Sequence, residues 1–206
     1  MLSIDIETTG LSHLTSYATV ACTHDGTGGV CYHLCRPPDE GCTCAGVGPP
    51  GEDRCKACRD YHSSNAAALF EALDNAGTIC GFNCLRFDIP YLQGKFSLDN
   101  GRVGRWAAKT IDLFLLISES FDVFCSLDRA LALNGLPRKT GTGAHAVQLA
   151  MDARWDDLAE YCMEVKPLLT PHTHSPENSV HMAPQVVTIT TRRTQGSQGH
   201  SHLSRG

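Results

Sequence analysis

Two carboxylates lie one residue apart near the start of the chain, in the stretch MLSIDIETTG. Asp5 and Glu7 alternate with Ile4 and Ile6 in a run typical of a buried β-strand, and alternate side chains of a strand share one face. The two carboxylates therefore converge, about 7 Å apart along the chain. A divalent hard metal ion offsets the repulsion and desolvation of such a pair, so the pattern predicts a metal site. The alternative is a polar edge strand with two solvated acids, which the flanking isoleucines disfavour.

A third acid, Asp88, follows a predicted strand at 78–83 and precedes a predicted short helix at 89–93. Loops at strand ends are where a scaffold presents functional groups, so Asp88 is a candidate third metal ligand. The other interpretation is an N-cap for that helix, since Pro90 stands where a missing N–H is harmless.

Four cysteines form a second group with metal-ligand spacing: Cys42, Cys44, Cys55 and Cys58. A C-x-C pair and a C-x-x-C pair, separated by a Gly/Pro-rich stretch, can supply four thiolates to a tetrahedral Zn²⁺ ion in a zinc knuckle. The alternative is a flexible surface insertion of reduced thiols, which the sequence alone slightly favours.

Hydrophobic periodicity and turn residues predict the elements that position these groups. Strands are predicted at 2–7, 17–22, 30–35 and 78–83, the first three as an antiparallel meander. Residues 36–62 show neither strand nor helix period and are interpreted as an inserted loop. Ser64 or Asn65 is predicted to cap the next helix. Further helices are predicted at 89–93, 111–119, 127–134, 144–152 and 155–165, which makes a mixed α/β domain.

The domain organisation follows from length and composition. A chain of 206 residues holds one domain with a sizeable core plus an insertion or a tail. We predict a globular domain over residues 1–166, with the Cys-rich insertion at about 36–62. Residues 167–206 hold 4 of the 10 prolines and 5 of the 10 histidines. Because this segment has too little apolar surface to order its backbone, it is predicted to be a disordered or divergent tail.

Composition excludes several classes of protein. The chain is 42% apolar and 19% charged, and no apolar stretch approaches the ~20 residues that span a bilayer. Without a signal peptide, it is predicted to be intracellular, in nucleus or cytoplasm. The odd number of cysteines, 11, favours thiols or metal ligands over disulfides. The net charge is −5, but residues 86–139 carry 8 basic against 6 acidic residues and are the part that could face phosphates.

Three stretches in this order resemble a known family: DIETTG at 5–10, NCLRFD at 83–88 and LAEYC at 158–162. They are similar to the three motifs of the DEDD 3′-5′ exonucleases of the ribonuclease H-like superfamily, and Tyr161 indicates the tyrosine subtype. Residues 139–158 are also similar to the approach to the third motif in predicted polymerase-B-type proofreading exonucleases. The resemblance spans about residues 2 to 165. It implies a ribonuclease H-like mixed sheet, with an antiparallel meander of three strands plus parallel strands, flanked by helices.

The resemblance also implies two-metal hydrolysis of the terminal phosphodiester, with Mg²⁺ or Mn²⁺. In the family pattern Asp5 bridges both ions, Glu7 holds the ion that generates the nucleophilic water, and Asp88 holds the other ion through water. Tyr161 would orient the attacking water, since a phenol with a pKa near about 10 is a poor general base at neutral pH. The residues implied to hold the 3′-terminal nucleotide are Thr8, Gly10, Leu11 and Asn83.

The chain departs from the family at the end of the third motif. The expected Asp, four residues after the tyrosine, is replaced by Val165, and Glu164 stands one position early. On a helix, Glu164 is displaced by about 100° from the expected carboxylate. Glu164 completes the metal site only if its extra methylene, or unwinding of the helix before Pro167, lets its carboxylate reach the position of the missing Asp carboxylate. We also hypothesise that the end of the chain is a divergent or mis-joined segment, because one Asp between Glu164 and Val165 would restore the motif.

Two functional classes follow. The first is a metal-dependent 3′-5′ exonuclease that removes nucleotides from single-stranded 3′ ends, with activity impaired by the missing carboxylate. The second is a catalytically inactive nucleic-acid-binding or zinc-knuckle adaptor on the same fold. A proofreading module would act beside a polymerase or a helicase, and no membrane partner is expected. The sequence contains no Ser, Cys or His hydrolase arrangement and no P-loop pattern.

Overall fold

The sheet begins as a meander because apolar, β-branched runs alternate with short polar turns at the start of the chain. The computed structural model describes residues 1–38, 41, 42, 44, 54–138 and 140–164. Its five strands are β1 (Leu2–Thr8), β2 (Ala18–His24), β3 (Gly29–His33), β4 (Ile79–Gly81) and β5 (Thr110–Asp112).

The strand order is β3-β2-β1-β4-β5. Strand β1 pairs antiparallel with β2, and β2 pairs antiparallel with β3. Strands β4 and β5 are parallel to β1 and to each other. This combination of an antiparallel meander with added parallel strands confirms the predicted ribonuclease H-like mixed sheet.

Helices flank the sheet. Those in the described part of the chain are α1 (Lys56–Asn75), α2 (Asp88–Phe96), α3 (Asn100–Ala108), α4 (Leu113–Phe121), α5 (Leu127–Leu133), α6 (Gly143–Met151) and α7 (Trp155–Met163). Within the described residues, none of these helices is both long enough and apolar enough to cross a bilayer.

The two faces of the sheet carry separate hydrophobic clusters. Ile4 and Ile6 of β1 pack with buried residues of α1, α2 and α3, including Leu69, Leu92 and Trp106. The second cluster joins β2 to α6 and α7, and its buried members are Val20, Cys22, Ala146, Leu149, Ala150, Leu158, Tyr161 and Cys162. Because β1 side chains alternate between faces, Asp5 and Glu7 lie on the side opposite Ile4 and Ile6.

Helix α1 begins at Lys56, well before the predicted cap at Ser64 or Asn65. Asn65 lies inside the helix because its side chain serves a tertiary contact. Its Oδ1 accepts a hydrogen bond from the backbone N–H of His33 in β3 at 3.1 Å, and its Nδ2 donates to the Tyr61 carbonyl at 3.0 Å. The interpretation of residues 36–62 as loop is therefore wrong for 56–62, which are helical.

The sequence patterns do not predict β5 or α3. The helix predicted from residue 111 begins at Leu113, because Thr110–Asp112 extend and pair with β4. Helix α3 contains Gly101 and Gly104, which lower helix propensity, but the fully buried Trp106 ties it to the core. The predicted tail at 167–206 and the boundary at 166 lie outside the described residues.

Candidate active site

Asp5 and Glu7 lie on the face of β1 that is covered by α6 and α7. Asp5 is directly opposite Cys22 of β2, and Glu7 is opposite Val20. A carboxylate oxygen of Asp5, one of Glu7 and the Sγ atom of Cys162 all lie within 4.8 Å of one another. The predicted convergence of the two acids is therefore present, and the third potential ligand in this group is a thiol from α7.

Asp88 approaches the stretch of β1 that carries Asp5 and Glu7 from the edge of the strand that pairs with β4. Strand β4 is short and pairs only with Leu2 and Ser3, so the neighbouring edge of β1 is uncovered beyond that point. The Asp88 side chain takes the place of a strand partner there, because its Oδ1 accepts a hydrogen bond from the backbone N–H of Ile6 at 3.1 Å. Ile6 is the residue between the two acids, so the structure brings Asp5, Glu7 and Asp88 together.

The electrostatics of Asp88 reflect this crowding. Asp88 is 5% exposed. Burial raises its pKa well above the usual value, and the negative charges of Asp5 and Glu7 act in the same direction. The hydrogen bond from Ile6 opposes this shift. A divalent cation would favour the charged form of all three groups, and their oxygen atoms are the donors that Mg²⁺ and Mn²⁺ prefer.

Helix α7 supplies a thiol beside Asp5 and also carries Tyr161. The Cys162 thiol lies 3.5 Å from the Asp5 backbone carbonyl and 3.9 Å from its Oδ2. Tyr161 is buried, and its ring packs edge-on against His145 of α6, with ring centroids 5.8 Å apart. Neither Cys162 nor His145 was among the predicted site residues. Cys162 could have been found, because it lies on the same helical face as Leu158, which the apolar periodicity assigns to the core.

Glu164 does not join the carboxylate group. Its two carboxylate oxygens accept hydrogen bonds from the backbone N–H and the hydroxyl of Thr140, each at 2.7 Å. Glu164 therefore holds the segment before α6, in agreement with its displaced position on the helix. Val165 lies outside the described residues.

The last residue of β1 and the loop after it carry three of the residues predicted to bind substrate. The Thr8 hydroxyl donates to the Gly10 carbonyl at 2.8 Å, and the Ser16 hydroxyl donates to the same carbonyl at 3.0 Å. A Cβ at Gly10 would lie 3.1 Å from the Ser16 Cβ, so a side chain there would crowd the loop. Leu11 is 87% exposed beside this fixed backbone. An apolar side chain is thus presented to solvent in the loop that follows the strand of Asp5 and Glu7.

Asn83 marks the turn that leads to Asp88. It adopts a left-handed conformation with φ of 62°, which asparagine tolerates better than most residues. Its backbone N–H donates to Oδ1 of Asp112 at 2.8 Å, and the N–H of Leu85 donates to Oδ2 at 2.9 Å. Asp112 also caps α4 through the N–H groups of Phe114 and Leu115. Asp112 was not among the predicted site residues, although an Asp directly before an apolar helix is a recognisable N-cap signal.

The four cysteines of the Cys-rich segment also meet. Each of Cys42, Cys44, Cys55 and Cys58 offers a sulfur atom within 4.8 Å of the other three. Asp5, Glu7 and Cys162 belong to a separate group. The described part of the chain therefore contains two distinct groups of potential metal ligands, one dominated by oxygen and one made only of sulfur.

Comparisons with known proteins give structural likeness only. No protein-family model matches the chain. A search of curated proteins finds no matching relative. Among solved structures, the chain is similar to exonuclease I, with 15% identity and a TM-score of 0.47 over 76% of this chain and 42% of that one. A zinc-ion-bound complex of E. coli exonuclease I with single-stranded DNA matches at 16% identity and a TM-score of 0.47, over 78% and 42% of the two chains. The E. coli enzyme in complex with a dT13 oligonucleotide matches at 16% and 0.42, over 81% and 42%.

The chain thus spans 42% of the length of these exonuclease I chains. At such TM-scores, the fold class rests on the strand order and directions of this chain's own sheet. That sheet and the carboxylates on its central strand define a mixed α/β protein with a candidate site for divalent cations.

Proposed function

We propose that this protein is a metal-dependent 3′-5′ exonuclease that hydrolyses the terminal phosphodiester of single-stranded nucleic acid. The observation that carries the proposal is the hydrogen bond from the Ile6 N–H to Asp88 Oδ1. This bond supports the proposal because it holds a carboxyl group from a distant part of the chain at the backbone of the residue that separates Asp5 from Glu7. A nuclease of this class needs acidic groups from separate segments around shared divalent cations.

Asp5, Glu7 and Asp88 are the residues that would hold two Mg²⁺ or Mn²⁺ ions. The donor set fits, because three carboxyl groups supply hard oxygen atoms, and the charges of half-buried Asp5 and buried Glu7 act against ionisation of buried Asp88. When bound, such a pair of ions stabilises the attacking and leaving oxygens of an in-line displacement. The thiol of Cys162 lies next to Asp5 and Glu7. The family pattern has a further carboxylate on the same helix, at the position of Val165.

Tyr161 is proposed to position the attacking water. Its ring is fixed between the apolar cluster on α6 and α7 and the edge-on imidazole of His145. A phenol held in this way can orient a water molecule by hydrogen bonding without accepting its proton at neutral pH. The role of Glu164 as a metal ligand is not part of the proposal, since both of its oxygens serve Thr140.

The 3′-terminal nucleotide is proposed to bind over the loop after β1. Thr8 and Gly10 fix the loop backbone, and Leu11 offers an exposed apolar side chain against which the terminal base can pack. Asn83 would contribute from the turn before Asp88. A module that trims 3′ ends would act beside a polymerase or a helicase.

A labelled-strand assay tests the proposal. Full-length protein is incubated with single strands labelled at the 3′ or the 5′ end, with Mg²⁺ or Mn²⁺ and with chelator. We expect early release of the 3′ label, shortening of the 5′-labelled strand one nucleotide at a time, and no reaction with chelator. Asp5→Ala should lower the rate at least about 100-fold, because it removes a proposed ligand of the metal ions. Each tenfold loss of rate corresponds to about 1.4 kcal/mol of lost transition-state stabilisation.

The matched control is Glu160→Gln, which removes an exposed carboxylate from α7. It should leave the rate unchanged. Intact strands in the presence of both metals, together with salt-sensitive binding, would instead support a non-catalytic nucleic-acid-binding protein. Trimming that persists at full rate in Asp5→Ala would point to a contaminating nuclease and overturn the assignment of the site.

A further inference from the structure

The Cys-rich segment and the start of α1 form a compact cluster of sulfur atoms away from the carboxylates. The Sγ atom of Cys58 lies 3.4 Å from that of Cys42, 3.7 Å from that of Cys44 and 3.6 Å from that of Cys55. Cys58 is fully buried, and the other three cysteines are partly buried. Four thiols from two chain segments thus face one small volume.

These distances match the geometry of one metal ion bound to four sulfur atoms. Zn–S bonds are about 2.3 Å, which places the corners of a regular tetrahedron about 3.8 Å apart. A disulfide requires sulfur atoms at about 2.05 Å, which the observed separations exclude. A cluster of several metal ions would hold its thiolate ligands farther apart, because bonds between its own atoms intervene.

The local backbone supports the thiolate form of these ligands. Cys55 is the N-cap of α1, and Cys58 lies in its first turn. The positive end of the helix dipole favours negative charge at these positions. In addition, the backbone N–H of Cys55 donates a hydrogen bond to the Cys44 sulfur at 3.1 Å. Arg54 and Arg59 adjoin the two helix cysteines in sequence, and their positive charge is opposite in sign to the net charge of a metal bound to four thiolates. The neighbouring Lys56 pairs with Asp60.

We infer that Cys42, Cys44, Cys55 and Cys58 bind one Zn²⁺ ion in a closed tetrahedral site that fastens the Cys-rich segment to α1. An all-sulfur tetrahedral donor set selects zinc, and four protein ligands leave no open position for a reacting water. The site is therefore structural. It also accounts for the helical start at Lys56, because two of its ligands anchor the first turn of α1.

Metal analysis of the full-length protein provides the first test. The protein is purified without chelator, and its metal content is measured by mass spectrometry. We expect one Zn²⁺ per chain. The zinc is then exchanged for Co²⁺, whose visible spectrum should show the intense bands of tetrahedral coordination with thiolate-to-cobalt charge transfer. This measurement needs no variant, so it does not depend on how a substitution folds.

Paired variants assign the ligands. Cys55→Ser and Cys58→Ser should each reduce the bound zinc about tenfold or more. Cys125→Ser, which changes a half-buried cysteine outside the cluster, should retain one ion. Asp5→Ala should also retain it, so that a failed nuclease assay and an absent zinc site give different results. An octahedral cobalt spectrum, stoichiometric iron in place of zinc, or zinc that survives both cysteine substitutions would overturn the inference.

Discussion

At the scale of single residues, Asp88 connects the two halves of the candidate active site. Its carboxyl group satisfies the Ile6 N–H on the edge of β1 that β4 leaves uncovered, and it faces the charges of Asp5 and Glu7. The N-cap interpretation of Asp88 is wrong, since α2 begins at Asp88 itself and Phe87 occupies the N-cap position. The charge of a buried acid in this position is repelled by the neighbouring carboxylates. Acids in such unfavourable surroundings are typical of functional sites.

Leu11 provides a residue-scale prediction about substrate binding. Leu11→Ala should raise KM for a single-stranded oligonucleotide about tenfold, because partial burial of a leucine side chain against a base contributes about 1.5 kcal/mol. Thermal stability should not change, since the side chain is 87% exposed. Steady-state kinetics and a melting curve measure both effects. Leu133→Ala, at another exposed leucine on α5, is the control and should alter neither. An unchanged KM in Leu11→Ala would remove Leu11 from the substrate site.

Cys162 gives a second residue-scale prediction, concerning the choice of metal. A sulfur ligand beside two carboxylates favours Mn²⁺ over Mg²⁺ relative to an all-oxygen site. Cys162→Ser should therefore lower the ratio of Mn²⁺-supported to Mg²⁺-supported activity about tenfold. The ratio is measured across metal titrations, and Cys125→Ser serves as the control. If the ratio in Cys162→Ser equals that of the unmodified protein, the thiol does not contact the metal.

At the scale of elements, one side chain joins the end of β4 to the start of α4. Asp112 accepts hydrogen bonds from the N–H groups of Asn83 and Leu85 in the turn, and from Phe114 and Leu115 in the helix. Asp112 itself is buried at the end of β5. The turn that it holds leads directly to Asp88, so the position of the third carboxylate depends on this contact.

Asp112→Ala is predicted to destabilise the protein by about 2–4 kcal/mol. It removes a helix cap and leaves four half-buried N–H groups without this acceptor. Urea unfolding monitored by circular dichroism measures the free energy. Glu119→Ala, at an exposed position of the same helix, should change it by less than about 0.5 kcal/mol. A loss below about 1 kcal/mol in Asp112→Ala would contradict the proposed clamp.

At the scale of the whole molecule, part of the positive charge is used within the fold. Lys95 donates to the Ser16 carbonyl at 2.9 Å, Lys109 donates to two carbonyls at the end of α1, and Arg102 pairs with Asp74. These three belong to the basic stretch at 86–139 that was predicted to face phosphates. With a net charge of −5, long-range attraction to nucleic acid is weak, and binding must rely on contacts at the terminal nucleotide.

The pairing of Asp74 predicts how stability responds to acid. Hydrogen bonds from Arg102, and also from the buried Trp106, lower the pKa of Asp74 below its usual value of about 3.9. Because the pKa of Asp74 is lower in the folded protein, Asp74 binds a proton more readily in the unfolded chain than in the folded protein. The stabilisation is therefore fully present above about pH 4 and is lost as the pH falls through the lower folded-state pKa.

Asp74→Asn should accordingly flatten the acid limb of the stability curve. At pH 7 the variant should lose about 0.5 kcal/mol, the usual magnitude for an exposed ion pair. Below about pH 4 its unfolding free energy should approach that of the unmodified protein. Thermal unfolding from pH 2 to pH 7 measures this, with Glu71→Gln on the exposed face of α1 as the control. Parallel curves for Asp74→Asn and the unmodified protein would contradict the assignment.

Local patterns in the sequence indicated which residues share a face and where most of the strands and helices lie. Strand alternation placed Asp5 and Glu7 on one face, because alternation is a local geometric consequence of the backbone. The Cys spacing allowed a four-sulfur group but slightly favoured a flexible insertion of reduced thiols. Helix periodicity also placed Glu164 away from the expected carboxylate position.

Only the tertiary structure decided how those faces meet. The contact of Asp88 with Ile6 depends on how far β4 extends, and the approach of Cys162 to Asp5 depends on how α7 packs on β1. Asn65 lies inside α1, where its side chain accepts a hydrogen bond from the backbone of β3. Such contacts join residues far apart in the chain, and their distances are set by packing between elements, which local patterns do not encode.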